Sequence, residues 1–433
     1  MAAAEGVLIS EGTAPLDTAR RQELGEQLRE RMRRADTGAP ASAMAAADLA
    51  VAIHTTVPNP ATTVFWDAGG HTDAYRHLLG HPPSTAAPPA PGRAVSEAVG
   101  AAVARMLQHE ATSIVAVIDG QGLSAGLAFE AVNHAGHLQL PLVLVLVDAP
   151  STRTRSVGAV SRHLTRLRGH PRYADAKVLI EQALSRMPAG GQAVEVARRL
   201  KNSMRELLIP TEIWEELLGF TYLGPVDGAS ADALAESLAL ALQVRRPVLL
   251  HVAAPAGAAV RRPRLGADHN GVAAARAAWL GAAAAALADL AEADDLCVTV
   301  SAGATARGAL HAVAERVPER FLDVELGEAH GMSLAASLAR EGLRPVVALA
   351  ASRTLATIAP LLDEATQADA PLTILAYPDA APDMAADVLS RNAVPGLDVI
   401  VPTHPHDLKE LLAAALVSPR WTLIRLPASV TQE

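Results

Sequence analysis

The chain has 433 residues, half of them hydrophobic but only 3% aromatic, and a formal charge of −9. That length predicts two or three domains, with cores filled by Ala, Val and Leu. Scattered charge excludes an electrostatic nucleic-acid or anionic-membrane surface, no apolar run suits a membrane span, and a single cysteine, Cys297, excludes an internal disulfide and fits a reducing cytoplasm.

Residues 16–36 read as a charged amphipathic helix capped by Asp17, with glutamates and arginines at i,i+3 and i,i+4 spacings. Residues 41–54 read as a small-residue helix, Thr63–Asp67 as a strand and Gly69-Gly70-His71 as a turn. A proline- and alanine-rich loop over 81–92 leads into a helix over 94–108. Ile114–Ile118 is an apolar strand broken by Asp119-Gly120-Gln121-Gly122, and Leu123–His137 continues as a helix. Leu142–Val147 is a second uninterrupted apolar strand with Asp148 at its end. Runs of this kind suit parallel strands covered on both faces, and ligands of such sheets sit beyond the carboxyl ends, where Asp119 and Asp148 fall.

Residues 153–187 are basic and read as a surface loop leading into helices. Strands at 221–226 and 247–253 flank a helix over 231–244. Residues 255–270, without periodicity and with three arginines, read as a linker. The α/β alternation then resumes, with strands at 296–300, 321–324, 345–350, 372–376, 398–401 and 422–426. Helices are expected at 305–317, 332–341 and 355–368. The fold class predicted is α/β, as two doubly wound, mostly parallel-sheet domains over 1–254 and 271–433. His404-Pro405-His406 has the look of a metal pair, but the proline and the following LKELLAAAL favour a loop and helix cap.

Several passages resemble 1-deoxy-D-xylulose-5-phosphate synthases, thiamine-diphosphate enzymes of the transketolase group. They are TVFWDAGG, LAFEAVNHAGHLQLPLVLVL, SVGAVSRHLTRLRGHPRY, GFTYLGPVDG, RPVLLHVAAPAG, RFLDVELGEAHGMSLAASLAREGLRPVVA and WTLIRLP, in the family's order. The resemblance implies a first domain that holds diphosphate and metal and a second that holds the pyrimidine ring. The family's third, C-terminal domain is expected to be absent, because the chain stops just after the second. It further implies a cytoplasmic homodimer, or a heteromer with a transketolase-like chain, and thiamine diphosphate with Mg²⁺ as cofactors.

Placed on the family's pattern, the cofactor-binding turn comprises Asp119, Gly120, Gly122 and Ser124, with Asp119 and Asp148 as metal candidates. Hard dications take oxygen ligands. The family's metal-binding Asp falls on Gly120 and its Asn on Val147, so Asp119 and Asp148 each lie one position away. His71 follows the place of a catalytic histidine. In the second domain Glu328 matches the glutamate that protonates the pyrimidine ring, a general acid/base role, and His330 matches its neighbour. Arg353 stands where an aromatic stacks on the ring, and Ala356 and Ala428 stand where arginines hold the substrate phosphate.

Three readings follow. One is a non-catalytic relative that keeps the fold and acts as a partner or regulatory subunit, or as a binding protein, without making deoxyxylulose phosphate. Another is a divergent thiamine-diphosphate carboligase on a different substrate, with Glu328 activating the cofactor. The third is a half-enzyme completed by a partner chain.

Overall fold

A computed structural model describes residues 17–34, 46–57, 60–67, 70–81, 91–110, 113–120, 122–148, 159–160, 162–163, 213–254, 272–303, 309–358, 371–378 and 396–427. Most of the basic stretch over 153–187 and all of the expected linker lie outside these residues. The chain divides into two compact units between Arg264 and Leu265, inside that linker.

The first unit is a five-stranded, all-parallel sheet: β1 (Val64–Trp66), β2 (Ile114–Asp119), β3 (Leu142–Asp148), β4 (Thr221–Asp227) and β5 (Val248–Ala253). Its order is β1-β2-β3-β5-β4. Parallel strands need crossovers, and helices supply them. Helix α1 (Thr18–Arg34) packs on α2 (Ala47–Thr56), and α3 (Gly70–Leu78) follows β1. Helix α4 (Arg93–Leu107) lies on β1 to β3, α5 (Gly126–Leu138) packs on α4, and α6 (Ala231–Gln243) lies on β4 and β5.

Helix α1 begins as its sequence dictates, with the Arg20 N–H donating to Asp17 at 2.8 Å. It is more than a solvated helix, because Leu24, Leu28 and Met32 are fully buried. Its Arg29 pairs with the buried carboxylate of Asp48 on α2, and Arg21 reaches Asp232 on α6 at 2.7 Å. Helix α3 begins where a turn was expected, at Gly70. Its polar sequence GHTDAYRHL hides an inward face of His71, Ala74, Tyr75 and Leu78.

The second unit holds six parallel strands: β6 (Cys297–Ser301), β7 (Phe321–Asp323), β8 (Arg344–Ala350), β9 (Thr373–Tyr377), β10 (Leu397–Ile400) and β11 (Trp421–Arg425). Their order is β10-β11-β9-β8-β6-β7, so the chain's direction of travel reverses about β6. Helices α7 (Val272–Ala293), α8 (His311–Arg316), α9 (Glu328–Arg340), α10 (Ala351–Ile358) and α11 (Leu408–Leu416) flank the sheet. The apolar run of β8 serves two cores. Val346 and Ala348 pack into one buried cluster, Val347 and Leu349 into another. Cys297 packs in the first of these, where burial pushes its thiol up to about 11, so it is inert.

Small residues let the layers approach closely. In α5, a Cβ on Gly136 would lie 1.9 Å from the Leu218 carbonyl oxygen. Gly136→Ala is therefore expected to destabilise the first unit by about 3 kcal/mol, read as a lower urea midpoint. The control is Gly100→Ala in α4, where a Cβ meets nothing within 4 Å. It should gain about 0.5 kcal/mol from lower backbone entropy in the unfolded chain.

Candidate functional site

Four aspartates mark the carboxyl edge of the first sheet, one of them Asp227 at the end of β4. Asp67 follows β1, Asp119 ends β2 and Asp148 ends β3. The Asp119 carboxylate accepts the Gly122 N–H at 2.6 Å, which closes the turn, while the Gly120 N–H donates to the Val147 carbonyl at 3.2 Å. Gly122 is buried beneath that turn and Ser124 is half-buried at its end. Asp67 carries no sign of a site residue in the sequence, yet it is the most enclosed of the four, at 1% exposure. Both its oxygens accept the Gly92 N–H, at 2.9 and 3.0 Å, at the start of α4. A side chain of this protein thereby fills the anion seat that a helix N-terminus offers.

Gly92 takes a left-handed φ of 80°, and a Cβ there would sit 2.6 Å from the Ala128 backbone nitrogen. Only glycine allows α4 and α5 to start so close together. Burial, and secondarily the charge of Asp119, push the Asp67 carboxyl above its usual range, against the pull of the Gly92 bond. His71 is also buried. Its Nε2–H donates to the Asp67 carbonyl at 3.0 Å and its ring stacks near Trp66. Burial brings the imidazole down to about 4, so it is neutral at physiological pH.

The structure does not bring Asp119 and Asp148 together. In the β2–β3 ladder Asp119 pairs with Val147, so these two share a face and Asp148 takes the other. On that other face Asp148 accepts from His251 Nε2 at 3.2 Å, and His251 Nδ1 meets the Tyr222 hydroxyl at 2.6 Å. A carboxylate only accepts, so Nε2 carries the imidazole proton and the phenol donates to Nδ1. All three residues are buried. The signal for this chain is present in the sequence as LLHV and TYLG, but only strand order makes them neighbours. Mg²⁺ bridging to a diphosphate needs several oxygens on one face. Val147 supplies none and Asp148 faces away, so the described residues do not fit the metal as the resemblance requires.

The second unit carries the other candidates near the place where the strand order reverses, the usual ligand edge of an open sheet. Glu328 is the first residue of α9, half-buried, where the helix dipole favours a carboxylate. The helix starts four residues earlier than its apolar spacing suggested, which draws GEAHG into the first turn. His330 is exposed on that turn and Arg353 is half-buried on α10, which packs against α9. Glu325, unremarked in the sequence, is buried with a left-handed φ of 52°. Its N–H donates to Asp323 at 2.9 Å and its carbonyl accepts from Gly303 at 2.6 Å, tying the ends of β6 and β7.

Residues 90–254 match the family described as 1-deoxy-D-xylulose-5-phosphate synthase. Curated relatives of that name include one from Pelotomaculum thermopropionicum, 31% identical over 88% of this chain and 66% of its own length. Another from Desulforudis audaxviator is 39% identical over 59% of this chain and 42% of its own. The chain thus spans less than two thirds of these relatives. Among solved structures, a transketolase from Campylobacter jejuni covers 95% of this chain and is itself covered over 78%, at 12% identity and a TM-score of 0.38, and adds nothing to the sequence match. The described residues form an α/β protein of two parallel-sheet units. By sequence the chain is similar to 1-deoxy-D-xylulose-5-phosphate synthases. Among the described residues, no helix is long and apolar enough to cross a membrane.

The depressed imidazole of His71 has a definite linkage. The unfolded side chain takes its proton near 6.5 and the folded one only near 4, so stability is lost as the pH falls between them. That window is expected to carry about 3 kcal/mol, and His71→Gln should flatten it in urea titrations at stepped pH. Asp67 acts in the opposite sense, because its raised carboxyl takes a proton in the folded state first. His251→Leu, which strips a bond from both Tyr222 and Asp148, should cost about 2 kcal/mol, checked by the same titrations at pH 7.

Proposed function

We propose that this chain is a non-catalytic or partner-dependent subunit related to deoxyxylulose-phosphate synthase, which does not itself make deoxyxylulose phosphate. The observation that carries the reading is the register at the end of β3, with Val147 opposite Asp119 and Asp148 bonded to His251. On that face a metal-bound diphosphate would find the Asp119 carboxylate, already accepting from Gly122, and no side-chain oxygen at 147, where the family's pattern supplies one. Asp67 supports the same reading, since its carboxylate takes the helix amide that would otherwise face an anion. The partner that fits is a second transketolase-like chain, which would bring its own metal ligands, or a second copy of this one.

One observation favours the alternative of a divergent carboligase. Glu328 keeps a half-buried place at the start of α9, suited to a proton-transfer role toward a ring nitrogen. Calorimetric titration with thiamine diphosphate and Mg²⁺ distinguishes the two. The proposed reading expects no binding heat at millimolar ligand. Binding that is lost in Glu328→Ala or Asp119→Ala would overturn it in favour of the carboligase.

A further inference from the structure

Beyond β10, at the carboxyl edge of the second sheet, the chain runs through Thr403-His404-Pro405-His406-Asp407 into α11. The cap expected here does not form. Asp407 holds the N-cap position of α11, yet its carboxylate accepts no hydrogen bond from the helix's first turn. Instead each of its oxygens faces a histidine. Oδ1 lies 3.2 Å from His406 Nε2 and Oδ2 lies 3.8 Å from His404 Nδ1. One ligand atom from each of the three residues falls within 4.8 Å of the others. The Thr403 hydroxyl sits beside two of them, 3.1 Å from His404 Nδ1 and 3.4 Å from Asp407 Oδ2.

We propose that His404, His406 and Asp407 form a binding site for a divalent late transition metal ion, with Zn²⁺ the best match. Two imidazoles and one carboxylate are a common protein ligand set for zinc, and the fourth position stays open to water when the site is exposed. Ligand bonds of about 2.0–2.2 Å in a tetrahedron put donor atoms about 3.3 Å apart. The His406–Asp407 separation already meets that spacing, and the three ligand atoms all lie within 4.8 Å of one another. Pro405 restricts the backbone between the two histidines, so less freedom is lost when the ligands converge. His406 is 75% exposed in its side chain and His404 30%, which leaves a path for the ion. The ion sits on one short segment of the second unit and is independent of whether the chain binds thiamine diphosphate.

The test is calorimetric titration of untagged, chelator-treated full-length chain with Zn²⁺, alongside the His404→Ala/His406→Ala double variant and Asp407→Asn. The expected result is one saturable equivalent per chain, weakened about tenfold or more in each variant, with unchanged far-ultraviolet circular dichroism. Substituting Co²⁺ should give a visible ligand-field absorption in the parent chain that the double variant lacks. No saturable binding, or equal affinity in the parent and the double variant, would overturn the proposal.

Discussion

A strand presents successive residues to opposite faces, and at the end of β3 this rule separates Val147 from Asp148. Val147 shares the face of Asp119, while Asp148 shares that of His251 and Tyr222. Much of the first unit's chemistry depends on that separation. An oxygen-bearing residue at 147 would have joined Asp119 beyond the strand ends. The carboxylate stands one place later and is drawn into a buried chain that links β3, β5 and β4. Polarity that in a metal site would face a ligand here fastens three strands together.

Asp67 repeats the theme two strands over, beyond β1. A buried carboxylate is costly unless hydrogen bonds satisfy it, and the Gly92 amide at the start of α4 does so. The close approach of α4 and α5 permitted by Gly92 fixes that amide in place. His71, Trp66 and Tyr75 pack behind it. The second unit differs. Its strand order reverses about β6, and Glu328, His330 and Arg353 follow β7 and β8 on short helical turns that burial leaves partly open.

The strands were legible because continuous apolar runs leave little choice for chains such as LVLVLV, which must be covered on both sides. Helices with a clear apolar face were legible for the same reason. Helix α3 was not, since its inward face is made of His71, Ala74 and Tyr75, residues whose burial depends on what packs above them. The start of α9 was missed because Glu328 and His330 are polar and contribute nothing to the apolar spacing. Asp67 looked like an ordinary strand end, and its partner Gly92 lies 25 residues away in the chain. Around His404-Pro405-His406 the local sequence suggested a loop and helix cap; Asp407 takes the N-cap position, but its carboxylate meets two imidazoles instead of a helix amide.

By itself the sequence determined the α/β alternation, the division into two units and the kinship with deoxyxylulose-phosphate synthases. Those rest on local periodicity and on matched residues, which need no knowledge of what lies across space. It also located the one-residue displacement of Asp119 and Asp148 from the family's ligand positions. Where those carboxylates point was decided only by the tertiary structure. Strand order set β5 beside β3, and ladder register set His251 within reach of Asp148. A carboxylate's role depends on the donors that meet it, and those come from residues about a hundred positions away in the chain.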